Sequence, residues 1–153
     1  MRPRETYSLF ILIAFFIVLF KLVGFNAPST PAYADIGHIK IAGQTLKLEL
    51  AMSADEQKKG LSGRDILPPD TGMLFIFDKP ASYRFWMKDM NFPIDIIWIS
   101  ENHKVIYIAK SLDPKTYPHS FGPSSDSKYV LEAVSGFSDK NNLREGDVIS
   151  FLQ

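Results

Sequence analysis

The 153-residue chain is 46% hydrophobic and 13% aromatic, enough for one packed core and too much for a disordered chain. Seventeen basic and seventeen acidic residues cancel, leaving no electrostatic footprint for nucleic acid, so no nucleic-acid partner is expected. The absence of cysteine excludes disulfides, thiol catalysis and thiolate metal sites together.

Arg2 and Arg4 precede an unbroken apolar run from Leu9 to Phe20, which gives way to the polar, proline-bearing NAPSTPAYAD. That order is an export signal. The 12-residue run falls short of the roughly 20 residues a bilayer span needs. Tyr7 to Phe25 reaches that length only by including Lys21 and Gly24. Ala32-Tyr33-Ala34 forms an A-x-A cleavage site before Asp35. Residues 1–34 therefore read as a signal peptide or membrane anchor plus linker, and 35–153 as an extracytoplasmic β domain, in the periplasm or at the cell surface. An uncleaved segment would make the membrane a partner. Removing 1–34 takes away three basic groups and one acidic, leaving 14 against 16 and a nearly neutral domain.

In the domain, Ile39–Ile41 and Thr45–Ala51 alternate apolar and polar residues about Gly43-Gln44, the pattern of a half-buried hairpin with Leu46, Leu48 and Leu50 inward. Ser53 opens a capping box with Glu56, and the short helix it starts stops at Gly60. LSGRDILPPDTG reads as an irregular connection. Gly72 to Ser100 holds both tryptophans, four of the twelve phenylalanines and three of the five methionines. Its aromatic and β-branched runs predict strands near Met73–Phe77, Tyr83–Lys88 and Ile94–Ile99, followed by a turn and Val105–Ala109, in a meander. Ser111–Ser127, with three prolines, reads as a long loop of the kind that forms lids or binding loops. Tyr129–Val134 and Val148–Phe151 complete the strands. The expected fold is mainly β, a compact sandwich or barrel-like single domain with one short helix, preceded by the N-terminal signal or anchor helix.

Several of these residues together, Gly60-Leu61 with Arg64, Gly72-Met73-Leu74-Phe75, Phe85-Trp86-Met87-Lys88, Pro93-Ile94-Asp95, Val130-Leu131-Glu132, Gly136 and Gly146-Asp147, resemble the domain-of-unknown-function family 192, also called uncharacterised protein family 0127. The match covers nearly the whole chain after Gln44. Ser62 stands where many members carry Met, and Asp89-Met90 where Asn-Thr is usual. The resemblance implies a β-rich sandwich or barrel with one short helix in an exported or tethered protein, and implies no activity.

Asp95 is the most conspicuous polar residue, because it interrupts an apolar strand and an ionised carboxylate is rarely buried without a partner. Arg64 and Lys88 are candidate partners, Arg64 preferred for its planar fork. Three readings follow: an outward side chain at an alternating position, an internal ion pair that pins the Arg64 connection, or a ligand-facing cluster of Arg64, Lys88 and Asp95 beside Trp86. Strand alternation places Arg84, Trp86 and Lys88 on one face, suited to an anionic carbohydrate, with core or rim packing of Trp86 as the competing reading. Met52, Met73, Met87 and Met90 with the three histidines show no ligand spacing, so no metal and no cofactor are expected. Ser62 is not in a nucleophile elbow. Asp95 and Glu132 could act as an acid–base pair only at a suitable separation. No catalytic residue is assigned. The reading is a non-catalytic binding or accessory protein of the cell envelope, taking a carbohydrate or small anionic molecule at Arg64, Arg84, Trp86, Lys88 and Asp95. The alternative is a small hydrolase acting on envelope polysaccharide or peptide, and a purely structural domain is the third reading.

Overall fold

The computed structural model describes Tyr33 and residues 35–153. The export and anchor assignments fall on residues outside that range. Among the described residues, no helix is long and apolar enough to cross a membrane.

The first hairpin joins β1 (His38–Ile41) to β2 (Gln44–Ala51). Its turn is Ala42-Gly43, one residue earlier than the sequence suggests, and both residues have positive φ (48° and 75°). Positive φ at both central positions is the turn geometry whose twist matches that of the flanking strands. Helix α1 (Ala54–Lys59) begins as expected, with Glu56 N–H donating to Ser53 Oγ and Ser53 N–H to Glu56 Oε2. Gln57 fastens it to the sheet by donating through Nε2 to the Ile76 carbonyl at 2.9 Å.

β3 (Thr71–Ala81) outruns the expected Met73–Phe77 and passes through Lys79-Pro80. Its ladder with β8 (Ser127–Val134) shifts register between Ile76 and Ala81, and a proline is tolerated where the ladder is interrupted. The remaining strands are β4 (Phe85–Trp86), β5 (Ile94–Ile99), β6 (Val105–Leu112), β7 (Ser120–Phe121) and β9 (Ser150–Leu152). A second short helix, α2 (Phe137–Lys140), corrects the expected count of one.

Seven strands form one mixed sheet in the order β6-β5-β8-β3-β2-β1-β9, in which only β2 and β3 run parallel. The simple meander is corrected, because β8 inserts between β3 and β5. Only Phe85–Trp86 of the expected Tyr83–Lys88 strand pairs, and it does so with β7 in a separate small sheet. The long loop is therefore structured, carrying β7 and a 3₁₀ turn at Pro114–Thr116. Backbone bonds from Val105 N–H to Asp147 O (2.9 Å) and Ile149 N–H to His103 O (3.0 Å) link the β6 edge to the chain entering β9.

Burial explains the uninterrupted apolar run of β5, whose six residues are all buried. Leu74, Leu131 and Ile97 align on one face of the sheet, and Phe75, Val130 and Trp98 on the other. The second face is covered by an apolar cluster that includes Leu61, Leu67, Met87 and Met90 from the connections flanking β3 and β4. A strand covered on both faces reads as continuous hydrophobic sequence.

Candidate functional site

Where α1 ends against the second face, a cavity of about 240 Å³ lies between Gly60–Ser62, the β3 aromatics, Tyr83–Trp86 and Glu132 of β8. Its walls are aromatic. Phe77 stacks on Tyr83 with centroids 3.5 Å apart, and Phe85 stands edge-on to Phe75 at 4.8 Å and to Trp98 at 5.8 Å. Trp98 is fully buried and donates its indole N–H to the Tyr83 carbonyl at 2.8 Å, so it positions the wall and presents no surface. Trp86 is 56% exposed at the rim, with Tyr117 edge-on at 5.9 Å.

Arg84 also lines the rim, and it braces the small sheet by donating to Ser120 Oγ (3.1 Å) and the Ser120 carbonyl (2.5 Å). Gly122 makes that approach possible, since a Cβ there would stand 2.6 Å from the Tyr83 carbonyl oxygen. The opposite wall is tied down by Ser62 Oγ donating to the Lys88 carbonyl and Asn91 Nδ2 donating to the Arg64 carbonyl, both at 2.9 Å.

Glu132 is the residue that sequence reasoning undervalued. It shares its face with Val130 and aligns with Met73 and Ile96 on the neighbouring strands. It is 5% exposed, lines the cavity, and its Oε2 has no hydrogen-bond partner. Burial pushes its carboxyl up to about 8, against the opposing pull of the Arg64 charge. At neutral pH it therefore holds its proton. The signal was available, because a lone acid in YVLEAV is as anomalous as the one in IDIIWI.

The expected Arg64–Lys88–Asp95 cluster does not assemble. Arg64 grips Glu49 instead, Nη1 and Nη2 donating to Oε1 and Oε2 at 2.8 and 2.7 Å. That pair holds the Glu49 carboxyl below the usual range. Lys88 reaches only Asp89, at 4.0 Å, with both side chains exposed. Asp95 is fully buried with neither cation as its partner. Its Oδ1 accepts from the Ser111 and Gly136 amides at 2.8 and 3.0 Å, and its Oδ2 from the Ser138 amide at 2.8 Å. The internal ion pair is thus corrected to a carboxylate satisfied by backbone donors. Of the five candidate residues, Arg84 and Trp86 alone line the cavity.

Met73, Met87 and Met90 are buried in the apolar cluster, and among the described residues no three His, Asp or Glu side chains converge as a metal site. A second depression of about 400 Å³ lies between β2, Pro69-Asp70 and α2, and neither buried unpartnered side-chain atom belongs to its lining.

The family model for DUF192, described as "Uncharacterized ACR", matches residues 37–151. A protein of unknown function from Novosphingobium aromaticivorans DSM 12444 has a similar structure, with TM-score 0.70 and 28% identity over 75% of this chain and 84% of that one. A "putative transcription regulator" from Sinorhizobium meliloti 1021 is similar at TM-score 0.69 and 26% identity, over 74% and 90%. No curated protein matches the chain.

Proposed function

The chain belongs to the DUF192 family, and we propose that it is a non-catalytic binding or accessory domain of the cell envelope whose ligand enters the cavity beside Trp86. Residues 1–34 deliver it to the extracytoplasmic side, as a cleaved signal or a retained anchor, and 35–153 form the barrel-like binding unit. The carrying observation is the cavity itself, with aromatic walls, a half-exposed tryptophan at the mouth and a buried carboxyl with a free oxygen at the floor. Ligand sites combine a mostly apolar lining with a few polar groups that fix orientation. At about 240 Å³ the cavity lies below the roughly 300–1,000 Å³ usual for drug-sized ligands, so its ligand is small.

The hydrolase reading draws support from Glu132, since a carboxyl that keeps its proton at neutral pH is a general acid in waiting. Glycoside hydrolysis needs a second carboxyl about 5–9.5 Å away. Glu132 is the sole acid among the described residues lining the cavity, Asp95 is engaged on the other face, and Glu49 is held by Arg64. Binding is therefore placed first.

The test is a native mass spectrum of protein recovered from the envelope of an expressing bacterium, set beside its denatured mass. The reading expects a native excess that Trp86→Ala loses while its circular dichroism stays unchanged. An identical excess in the variant, or none in either protein, overturns the site.

A further inference from the structure

Resting on that binding site, we propose that the cavity takes a small carboxylate-bearing molecule of about one ring, whose anionic oxygen accepts a hydrogen bond from the Glu132 carboxyl while Lys58, Lys59 and Arg84 face its outer end.

Three observations carry it. Glu132 Oε2 is buried without a partner in a cavity, and such a group is costly unless something else satisfies it. Gly60 leaves the approach to that oxygen open: a Cβ there would stand 3.7 Å from Oε2 and 3.2 Å from Phe75 Cζ. The charged lining is three cations against one acid, and burial keeps that acid neutral. A cationic ligand would meet like charge at the mouth. An anion meets complementary charge at the mouth and a charge-assisted O–H···O⁻ bond at the floor, the stronger class of hydrogen bond. No proton need be transferred.

The groups surrounding Glu132 fix the pH behaviour. Lys58 and Lys59 come from α1, Arg64 from the following connection with its charge engaged by Glu49, and Tyr83 and Arg84 from the chain entering β4. Met73 and Ile96 on the flanking strands carry no charge. Burial first, then Asp78 and Asp126, hold the Tyr83 phenol above its ordinary range, so Glu132 ionises before it. Affinity for a carboxylate is then flat well below pH 8, halved at about pH 8, and falls toward about tenfold per unit above about pH 9.

Ligand-observed NMR with galacturonate, galactose and galactosamine, and with benzoate, benzamide and benzylamine, tests the assignment on the isolated protein. Expected is tenfold or better preference for the acid in at least one series. Its affinity should fall about fivefold between pH 8 and 9 in the wild type. Glu132→Gln keeps a donor and should retain binding without that fall, whereas Glu132→Leu should lose binding with a melting temperature no lower than the wild type's. Preference for the amine, no preference for the acid, or wild-type affinity in Glu132→Leu overturns the proposal. So does failure of all six probes. Acid binding lost in Trp86→Ala but kept in Glu132→Leu sinks the Glu132 assignment and leaves the site standing, whereas binding kept in both variants sinks the two together.

Discussion

Asp95 and Glu132 lie on adjacent strands, one residue apart in register, since Asp95 pairs with Ala133 and Ile96 with Glu132. Both are buried carboxyls in apolar strands, and they face opposite sides of the sheet. Their surroundings differ completely. Asp95 meets three backbone amides, one near the end of β6 and two at the start of α2, and Glu132 leaves one oxygen with none. A carboxylate with both oxygens engaged by the main chain is part of the scaffold, holding the end of β6 and the entry to α2 against β5. One with an open oxygen beside a cavity has binding capacity left over. Burial alone does not separate the two, and the count of donors does.

The comparison breaks most violently at Asp95. Asp95→Asn turns an acceptor oxygen into an NH₂ group, which then faces at least one of the backbone amides at hydrogen-bond distance. Losing charge-assisted bonds and creating a buried donor–donor contact should cost about 3 kcal/mol or more, with ligand affinity unchanged in whatever fraction stays folded. Urea denaturation reads the loss. A change below about 1 kcal/mol would show that the three bonds do not hold the structure.

Glu132→Gln should move the other way. Its folded carboxyl is raised from 4.5 to about 8, so between those values the folded state holds a proton that the unfolded chain has released. The stability this gives is complete below about pH 4.5 and is lost as pH rises through about 8. Each unit of that window is worth on the order of 1.4 kcal/mol. Glutamine does not titrate, so the variant should gain on the wild type from pH 5 to 8.5 by a few kcal/mol, read as a difference of melting temperatures at each pH. Parallel curves would mean that Glu132 ionises normally in the folded protein.

What the sequence made legible was local. The Ser53–Glu56 capping box spans three residues and carries its own hydrogen bonds, so its identification needed no tertiary information. The hairpin was readable too, though its turn slid by a residue because Ala42 accepts a positive φ that composition does not advertise. Strand order was not readable, since β8 reaches its place between β3 and β5 through pairings 30 or more residues distant in sequence. The aromatic run Tyr83–Lys88 looked like a strand because aromatic residues favour strands, yet Phe85 serves mainly to pack on Phe75 and Trp98. Asp95 was legible as an anomaly but its partners were not, because amides at 111, 136 and 138 leave no side-chain signature. Arg64 looked available for it only because Glu49 read as an outward residue of an alternating strand.

Arg64→Gln sharpens the comparison at an intermediate scale. The Arg64–Glu49 pair is bidentate but partly exposed, so its loss should cost about 1 kcal/mol or less. The same change removes the charge that opposes the upward shift of Glu132, so ionisation there should move to still higher pH while Asp95 is untouched. NMR titration of the Glu132 side-chain carboxyl reads it directly, and a midpoint unmoved or lowered would show that Arg64 does not act on the cavity floor.

The smallest effect belongs to Lys88, which stood beside Arg64 and Asp95 as a candidate ligand contact. Its ammonium lies 4.0 Å from Asp89, with both side chains more than half exposed, and it does not line the cavity. Exposed pairs of that kind contribute about 0–1 kcal/mol. Lys88→Ala should therefore change stability by no more than a few tenths of a kcal/mol, and it should leave carboxylate affinity within about twofold of the wild type. The backbone at this position does more than its side chain, because the Lys88 carbonyl accepts from the Ser62 hydroxyl that ties down the Gly60–Ser62 wall of the cavity. Ser62→Ala, which removes that bond and keeps Lys88, should weaken binding more than Lys88→Ala does. The reverse order, read by the same ligand-observed NMR, would return Lys88 to the site.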